Sequence, residues 1–219
     1  MKKVGFCFIM LIIALVAAFF IPWERVELKF REIINKPQEY SSLKIYSLAG
    51  NLKVYIDGEE KGVAKRSESY FEVIPINTGE HEVSLIREAE ESRFYTEFRK
   101  VINFEKGFDT VISWENGPTD DASSGWILYA RKSKDISDVA YLNVQCFPVD
   151  CHIHVNDSET LAMPISEKEL SLAQQYTLKA QKEGYQDLEF QILPEDNGAR
   201  EKLAGFDLFL EVHLYKIPL

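Results

Sequence analysis

The chain is poor in the residues and motifs that carry most enzyme chemistry. Only four of its 219 residues are histidine and three are cysteine. The patterns G-x-S-x-G, H-E-x-x-H and G-x-G-x-x-G and the phosphate-binding loop do not occur, so the four kinds of site that these motifs build have no sequence support. We therefore predict a protein that is not an enzyme, with no catalytic residues and no cofactor.

Basic residues are also scarce relative to acidic ones. The chain has 25 lysines and arginines against 35 acidic residues. Two of the lysines, Lys2 and Lys3, precede the first acidic residue, Glu24. The chain from Glu24 onward therefore has 23 basic and 35 acidic side chains, a formal charge of −12. Such a surface repels phosphate backbones, which excludes nucleic acid as the favoured partner.

One segment has no charged residue at all. Residues 4–23, VGFCFIMLIIALVAAFFIPW, match the roughly 20 apolar residues that a helix needs to cross a membrane. Lys2 and Lys3 lie on one side of it, so we predict a signal anchor over residues 1–23, with a cytoplasmic N-terminus and an extracytoplasmic remainder. The alternative is a secretory signal cleaved near Val16-Ala17-Ala18, and both interpretations export the same domains.

The sequence after the anchor is typical of β structure. Residues 24–40 are charged and contain Pro37, which suits a short stalk. From Ser41 onward apolar residues recur with a period of two, as in Leu52, Val54 and Ile56, and glycine-rich turns separate the runs. Helical periodicity is absent there, so the predicted fold class is all-β.

The most informative feature is an internal repeat. Residues 43–60 read LKIYSLAGNLKVYIDGEE and residues 142–159 read LNVQCFPVDCHIHVNDSE. The two segments align with each other without an insertion or deletion. Ile153 and Val155 stand where Val54 and Ile56 stood. The repeat predicts two self-contained antiparallel β-sandwich modules in tandem, over residues 41–132 and 139–219.

The repeated segments resemble the PEGA domain of bacterial and archaeal envelope proteins. The first copy matches through Val54-Tyr-Ile-Asp57-Gly58, Ile74-Pro75-Ile76 and Gly79-Glu80-His81, and the second through Pro148, Pro164 and Lys182-Glu-Gly184-Tyr185. The first copy has Leu-Ala-Gly-Asn in place of the family's proline turn, and the second lacks the Asp-Gly and Gly-Glu-His elements. The resemblance implies small extracytoplasmic β-sandwiches without an assigned active site.

Two cysteines border the first turn of the second copy. Cys146 and Cys151 enclose four residues, and the positions that flank such a hairpin loop face each other at nearly disulfide distance. An exported compartment permits oxidation. A disulfide is therefore predicted, with two free thiols as the alternative.

Two histidines of the second copy raise the question of a metal site. His152 and His154 lie two positions apart on a predicted strand, so both point to one face and could bind a metal with His213 or Asp157. The alternative, which we favour, is that they occupy the solvent side opposite Ile153 and Val155.

These observations predict a non-enzymatic, single-pass protein of the cell membrane. Its two β-modules would serve as a scaffold, spacer or binding surface, with the membrane bound through residues 4–23 and an envelope protein or a glycan as a further partner. One alternative is a metal-dependent hydrolase that uses His152 and His154. Another is a subunit of a membrane complex that is recognised through its transmembrane helix.

Overall fold

Strands dominate the structure, a computed structural model that describes residues 40–89, 94–133, 138–156 and 159–218. The prediction of an all-β protein is therefore confirmed. The predicted anchor, residues 1–23, and the predicted stalk, residues 24–40, lie outside the described residues except for Tyr40. Within the described ranges, no helix is long and apolar enough to cross a membrane.

The chain builds the same seven strands twice, with one strand between the two sets. The first half comprises β1 (Ser41–Ser47), β2 (Leu52–Ile56), β3 (Glu59–Ala64), β4 (Phe71–Ile76), β5 (Gly79–Arg87), β6 (Phe98–Phe104) and β7 (Asp109–Glu115). After a 3₁₀ turn (Asp120–Ala122) comes β8 (Ser124–Lys132). The second half comprises β9 (Ala140–Phe147), β10 (His152–Val155), β11 (Glu159–Leu161), β12 (Ile165–Leu170), β13 (Thr177–Gln181), β14 (Leu188–Gln191), the helix α1 (Asn197–Glu201) and β15 (Phe206–His213).

The two halves share one strand order as well as one sequence pattern. Each half has a four-stranded small sheet, ordered β3-β2-β5-β6 in the first and β11-β10-β13-β14 in the second. The predicted inward positions are buried in both copies: Val54 and Ile56 in the first, Ile153 and Val155 in the second. The repeat seen over eighteen residues at the start of each copy therefore extends over all seven strands.

A seven-stranded central sheet joins the halves, in the order β12-β9-β15-β8-β7-β1-β4. β8 lies in the middle and pairs antiparallel with both β7 and β15. The prediction of purely antiparallel sheets is wrong for two pairs, β1 with β7 and β9 with β15, which are parallel. In each case the chain passes through the small sheet between the two strands, which supplies the long crossover that parallel pairing needs.

The two hydrophobic cores meet at β8. Ile127 belongs to the first core and Tyr129 packs against it, whereas Leu128 and Ala130 belong to the second core, where Trp126 also packs. Because side chains alternate along a strand, the cores lie on opposite faces of β8. The halves are thus not self-contained: each has its own core, but both cores use the same strand. Its continuous apolar sequence, WILYA, fits burial on both faces.

This shared strand predicts that the halves unfold together. Ile127→Ala and Leu128→Ala each remove a buried side chain, from the first and the second core respectively. We expect each to cost about 2 to 5 kcal/mol and to lower the same single transition in differential scanning calorimetry. The exposed neighbour Arg131→Ala serves as the control. Two transitions, of which each variant shifts only one, would show that the halves unfold independently.

Candidate functional site

The two candidate metal ligands on β10 lie on an open surface. His152 is exposed and His154 is half-buried, while Ile153 and Val155 between and after them are buried. The Nδ1 atom of His154 lies 2.9 Å from the Thr160 hydroxyl, so this ring is already hydrogen-bonded. The shallow depression in front of both histidines is otherwise lined by Gln181, Lys182, Glu183 and Asp187.

The third candidate, His213, lies elsewhere, at the end of β15. Its ring stacks on Phe147, with 4.4 Å between centroids, and packs edge-on against Trp114 at 5.0 Å. Burial lowers the pKa of His213. Asp157 lies outside the described residues. Across residues 40–218, apart from the short gaps, no three His, Cys, Asp or Glu side chains are placed to hold a metal ion.

The two cysteines of the β9–β10 turn are joined by a disulfide. Cys146 and Cys151 are both buried, and their Cα atoms are 6.3 Å apart. The first copy holds the equivalent turn without sulfur. There Arg87 Nη2 donates a hydrogen bond of 3.1 Å to the Ala49 carbonyl. The disulfide therefore links the two ends of one turn. In the first copy, the hydrogen bond from Arg87 holds the equivalent turn instead.

The residues that carry the PEGA-like resemblance bond to one another. Asp57, at the end of β2, has φ = 52° and accepts a hydrogen bond of 3.0 Å from the backbone N–H of Glu82. Its other carboxylate oxygen lies 2.6 Å from Nδ1 of His81. The Asp-Gly and Gly-Glu-His elements, twenty-four residues apart for Asp57 and His81, therefore form one contact between β2 and the start of β5.

The second copy keeps this contact with uncharged groups. Asn156 replaces Asp57, has φ = 49° and accepts a hydrogen bond of 2.9 Å from the backbone N–H of Thr177. The backbone N–H of Asn156 in turn donates to the Thr177 carbonyl. The second copy thus lacks the Asp-Gly and Gly-Glu-His residues but retains the positive φ of the turn and its hydrogen bonds to the start of β13. The motif residues have a structural role that requires no ligand.

A groove of about 290 Å³ lies between β6 and β15. Its wall is the edge of β6, and its floor is the part of the central sheet that the first small sheet leaves uncovered. Its lining combines aromatic rings with charged groups. The lining includes Phe98, Lys100, Trp114, Phe147, Glu211 and His213.

An ion pair across this groove connects the two halves of the chain. Lys100 Nζ on β6 lies 2.8 Å from Glu211 Oε2 on β15, and the Tyr129 hydroxyl of β8 donates a 3.1 Å hydrogen bond to Glu211 Oε1. Glu211 is only 8% exposed. Burial, followed by the negative charge and hydrogen bond of Glu211, raises the pKa of Tyr129 to about 12. Both oxygens of this buried carboxylate are therefore engaged in contacts within the protein.

The second half has no such ion pair at the equivalent positions. The strand registers align Lys100 with Phe190 and Glu211 with Ser113. Phe190 stacks on Trp126 with 4.9 Å between ring centroids. The β6–β15 groove is therefore specific to one side of the protein. Sequence reasoning missed it because Lys100 and Glu211 are 111 residues apart and belong to no local motif.

The fold and its groove define a class of protein rather than a named family: an all-β protein made of two repeated halves that share a central strand. No protein-family model matches this chain, and no curated protein is detectably similar to it. The PEGA-like resemblance therefore stays a prediction that rests on the residues quoted for it.

The Asp57 contact predicts a stability effect that differs between two substitutions. Asp57→Ala removes both hydrogen bonds and should cost about 1 to 2 kcal/mol in urea unfolding. Asp57→Asn should cost less, because an amide oxygen can accept the Glu82 bond as Asn156 accepts the Thr177 bond. An equal loss for the two variants would contradict this account.

The same contact predicts how the Asp57 contribution depends on pH. The hydrogen bond with His81, followed by that from the Glu82 backbone, lowers the pKa of Asp57 below 3.8. A carboxyl group with a lowered folded pKa stabilises the fold above its unfolded pKa of about 3.9 and loses that contribution as the pH falls through the folded value. The small advantage of wild type over Asp57→Asn should therefore vanish in acid. An advantage that persists below the folded pKa would contradict the assignment.

The Glu211 site predicts a late-titrating tyrosine. In an ultraviolet titration, one phenol of the wild type should ionise near pH 12, and this step should be missing in Tyr129→Phe. Glu211→Gln removes the negative charge but not the burial, so it should lower the Tyr129 pKa and leave it above the ordinary value of 10.0. A Tyr129 pKa that does not change in Glu211→Gln would show that the carboxylate does not act on the phenol.

Proposed function

We propose that this chain is a non-enzymatic, membrane-tethered extracytoplasmic protein. Its β-structured part from residue 40 onward, here called the β unit, serves as a scaffold and binding surface at the cell envelope. One observation carries the proposal: an uncharged segment of twenty residues, 4–23, follows Lys2 and Lys3 and precedes a chain that folds as β structure. Charge on one side of a spanning segment favours a cytoplasmic N-terminus. The β unit then lies on the outer side.

The disulfide supports an extracytoplasmic location for the β unit. Disulfides persist in oxidising compartments and are rare in the cytosol of most organisms. Cys146 and Cys151 are bonded to each other and buried in the second core. In the cytosol, the two thiols would be kept reduced. The negative charge of the exported part suits a soluble surface outside the membrane.

The polar groups of the grooves support a scaffold rather than a catalyst. Glu211 is the most buried carboxylate of the β6–β15 groove, and Lys100 and Tyr129 already bond both of its oxygens. In front of β10, His154 is hydrogen-bonded to Thr160. A general base needs a proton to abstract within hydrogen-bond reach and a pKa suited to the task. These groups instead serve internal contacts.

Cell fractionation tests the proposal. The full-length chain should stay in the membrane pellet after an alkaline wash, and external protease should digest the β unit in cells whose outer barrier has been opened. Exchanging residues 4–23 for an unrelated spanning segment should leave both results unchanged, since the segment acts as a tether. Recovery of the full-length chain from the soluble cytoplasmic fraction would overturn the proposal.

A further inference from the structure

The described sheets end in six edge strands, and β6 differs from the other five. An edge strand offers unpaired N–H and C=O groups to any other extended chain, and most proteins guard such edges with short strands, prolines, bulges or charges. Among the described strands, β6 has only β5 as a neighbour. It is seven residues long, FRKVINF, contains no proline or glycine, and pairs with β5 without a register shift.

Each of the other five edge strands has a feature that hinders pairing with another chain. β11 and β14 are three and four residues long. β4 contains Pro75, and the pairing of β12 with β9 is interrupted by a register shift. β3 begins with three charged residues, contains Gly62, and is irregularly paired with β2.

The two charges of β6 do not guard its edge, because contacts within the protein hold them. Lys100 is tied to Glu211 at 2.8 Å. Arg99 is 2.9 Å from Glu97 and 3.3 Å from Glu82. The next residue, Val101, has an apolar side chain on the outer face of β6 and is 57% exposed.

The β6–β15 groove, of about 290 Å³, lies beside β6, and the central sheet forms its floor. β6 lies against β8, and β15 is the next strand after β8 in the central sheet. Strands of one sheet are about 4.8 Å apart, so a strand added to β6 would lie above β15. The side chains of β15 that face this space are Phe209, Glu211 and His213, because Leu208, Leu210 and Val212 face the second core.

We propose that the edge of β6 binds an extended polypeptide segment of a partner protein, which pairs with β6 as an added fifth strand of the first small sheet. The main chain of the segment supplies the hydrogen bonds, as in other cases of β-strand addition. Its alternate side chains face the floor of the β6–β15 groove, where Phe147 is 42% exposed and Phe209 is half-buried. The inference names the kind of partner for the binding surface proposed above.

The charges around β6 indicate which side chains the segment presents. After the ion pairs with Arg99 and Lys100 are counted, the four carboxylates at this edge, Glu82, Glu97, Asp120 and Glu211, leave a net formal charge of −2. The exported chain as a whole has a formal charge of −12. Charge complementarity therefore favours a segment in which apolar residues, facing the groove, alternate with basic residues that face outward.

A second copy of this chain is a poor occupant for antiparallel pairing. Two β6 strands related by a twofold axis would place both central sheets on the same side of the joined small sheets. The central sheet of the second copy would then need the space that β15, β9 and β12 already fill. A single extended segment, without a second layer, meets no such obstacle.

Titration of the full-length protein in mild detergent tests the proposal. The probe is an acetylated heptapeptide of alternating lysine and valine, and binding is measured by fluorescence anisotropy of a terminal dye. Two further peptides each have the N–H groups of one strand edge methylated. We expect one of the two to bind about tenfold or more weakly, because it loses the hydrogen bonds to β6, and the other to bind normally.

A matched pair of protein variants places the peptide at β6. Val101→Lys puts a like charge opposite the lysines of the peptide and should weaken binding about two- to fivefold, while Val101→Thr should bind as the wild type does. Position 101 is exposed, and circular dichroism checks the fold of both variants. Absence of peptide binding, or equal binding of both methylated peptides, would overturn the proposal. Self-association of the protein alone that Val101→Lys abolishes would overturn it in favour of a second copy. None of these outcomes depends on where fractionation places the protein.

Discussion

The structure depends on the burial of one strand on both of its faces. β8 lies between β7 and β15, and its alternate residues enter two different cores: Ile127 the first, Leu128 and Ala130 the second. A repeated module with an open sheet edge would have to guard that edge or pair it. Here one additional strand pairs the equivalent edges of both halves. Gly125 lets β8 begin close to β7, because a Cβ atom there would clash with the Ser113 carbonyl oxygen.

The same arrangement explains why the β6–β15 groove exists. Each small sheet covers only its own part of the central sheet, so the strands of the opposite half extend beyond it and form a floor next to its last strand. On the first side, Lys100, Glu211 and Tyr129 form a bonded polar cluster at this junction. On the other side, Phe190 packs on Trp126 instead. The two copies of one pattern thus have different surfaces, and the polar one is where we propose that a partner binds.

Local features of this fold could be predicted from sequence, and long-range ones could not. Period-two alternation identified Ile56 and Val155 as inward-facing because a strand places every second residue on one face. The turn between Cys146 and Cys151 brought two thiols together, since hairpin geometry is local. The direction of β7 relative to β1, however, cannot be predicted from the residue pattern of either strand. The ion pair between Lys100 and Glu211 cannot be predicted from local sequence either. Residues 134–137, between the two predicted modules, lie outside the described residues, but β8 before them and β9 after them belong to the same central sheet.

The central claim, that β8 belongs to both halves at once, is tested most directly by native-state amide hydrogen exchange. If both cores depend on β8, the amides of Ile127, Leu128 and Tyr129 should exchange only by global unfolding, with the same opening free energy as the slowest amides of β7 and β15. Residue-resolved exchange rates, measured with increasing denaturant, give these free energies. The account predicts one shared value for all three strands. Slow exchange in β15 while β7 and β8 open at a lower free energy would contradict it, because the second half would then be stable without the strand that joins it to the first.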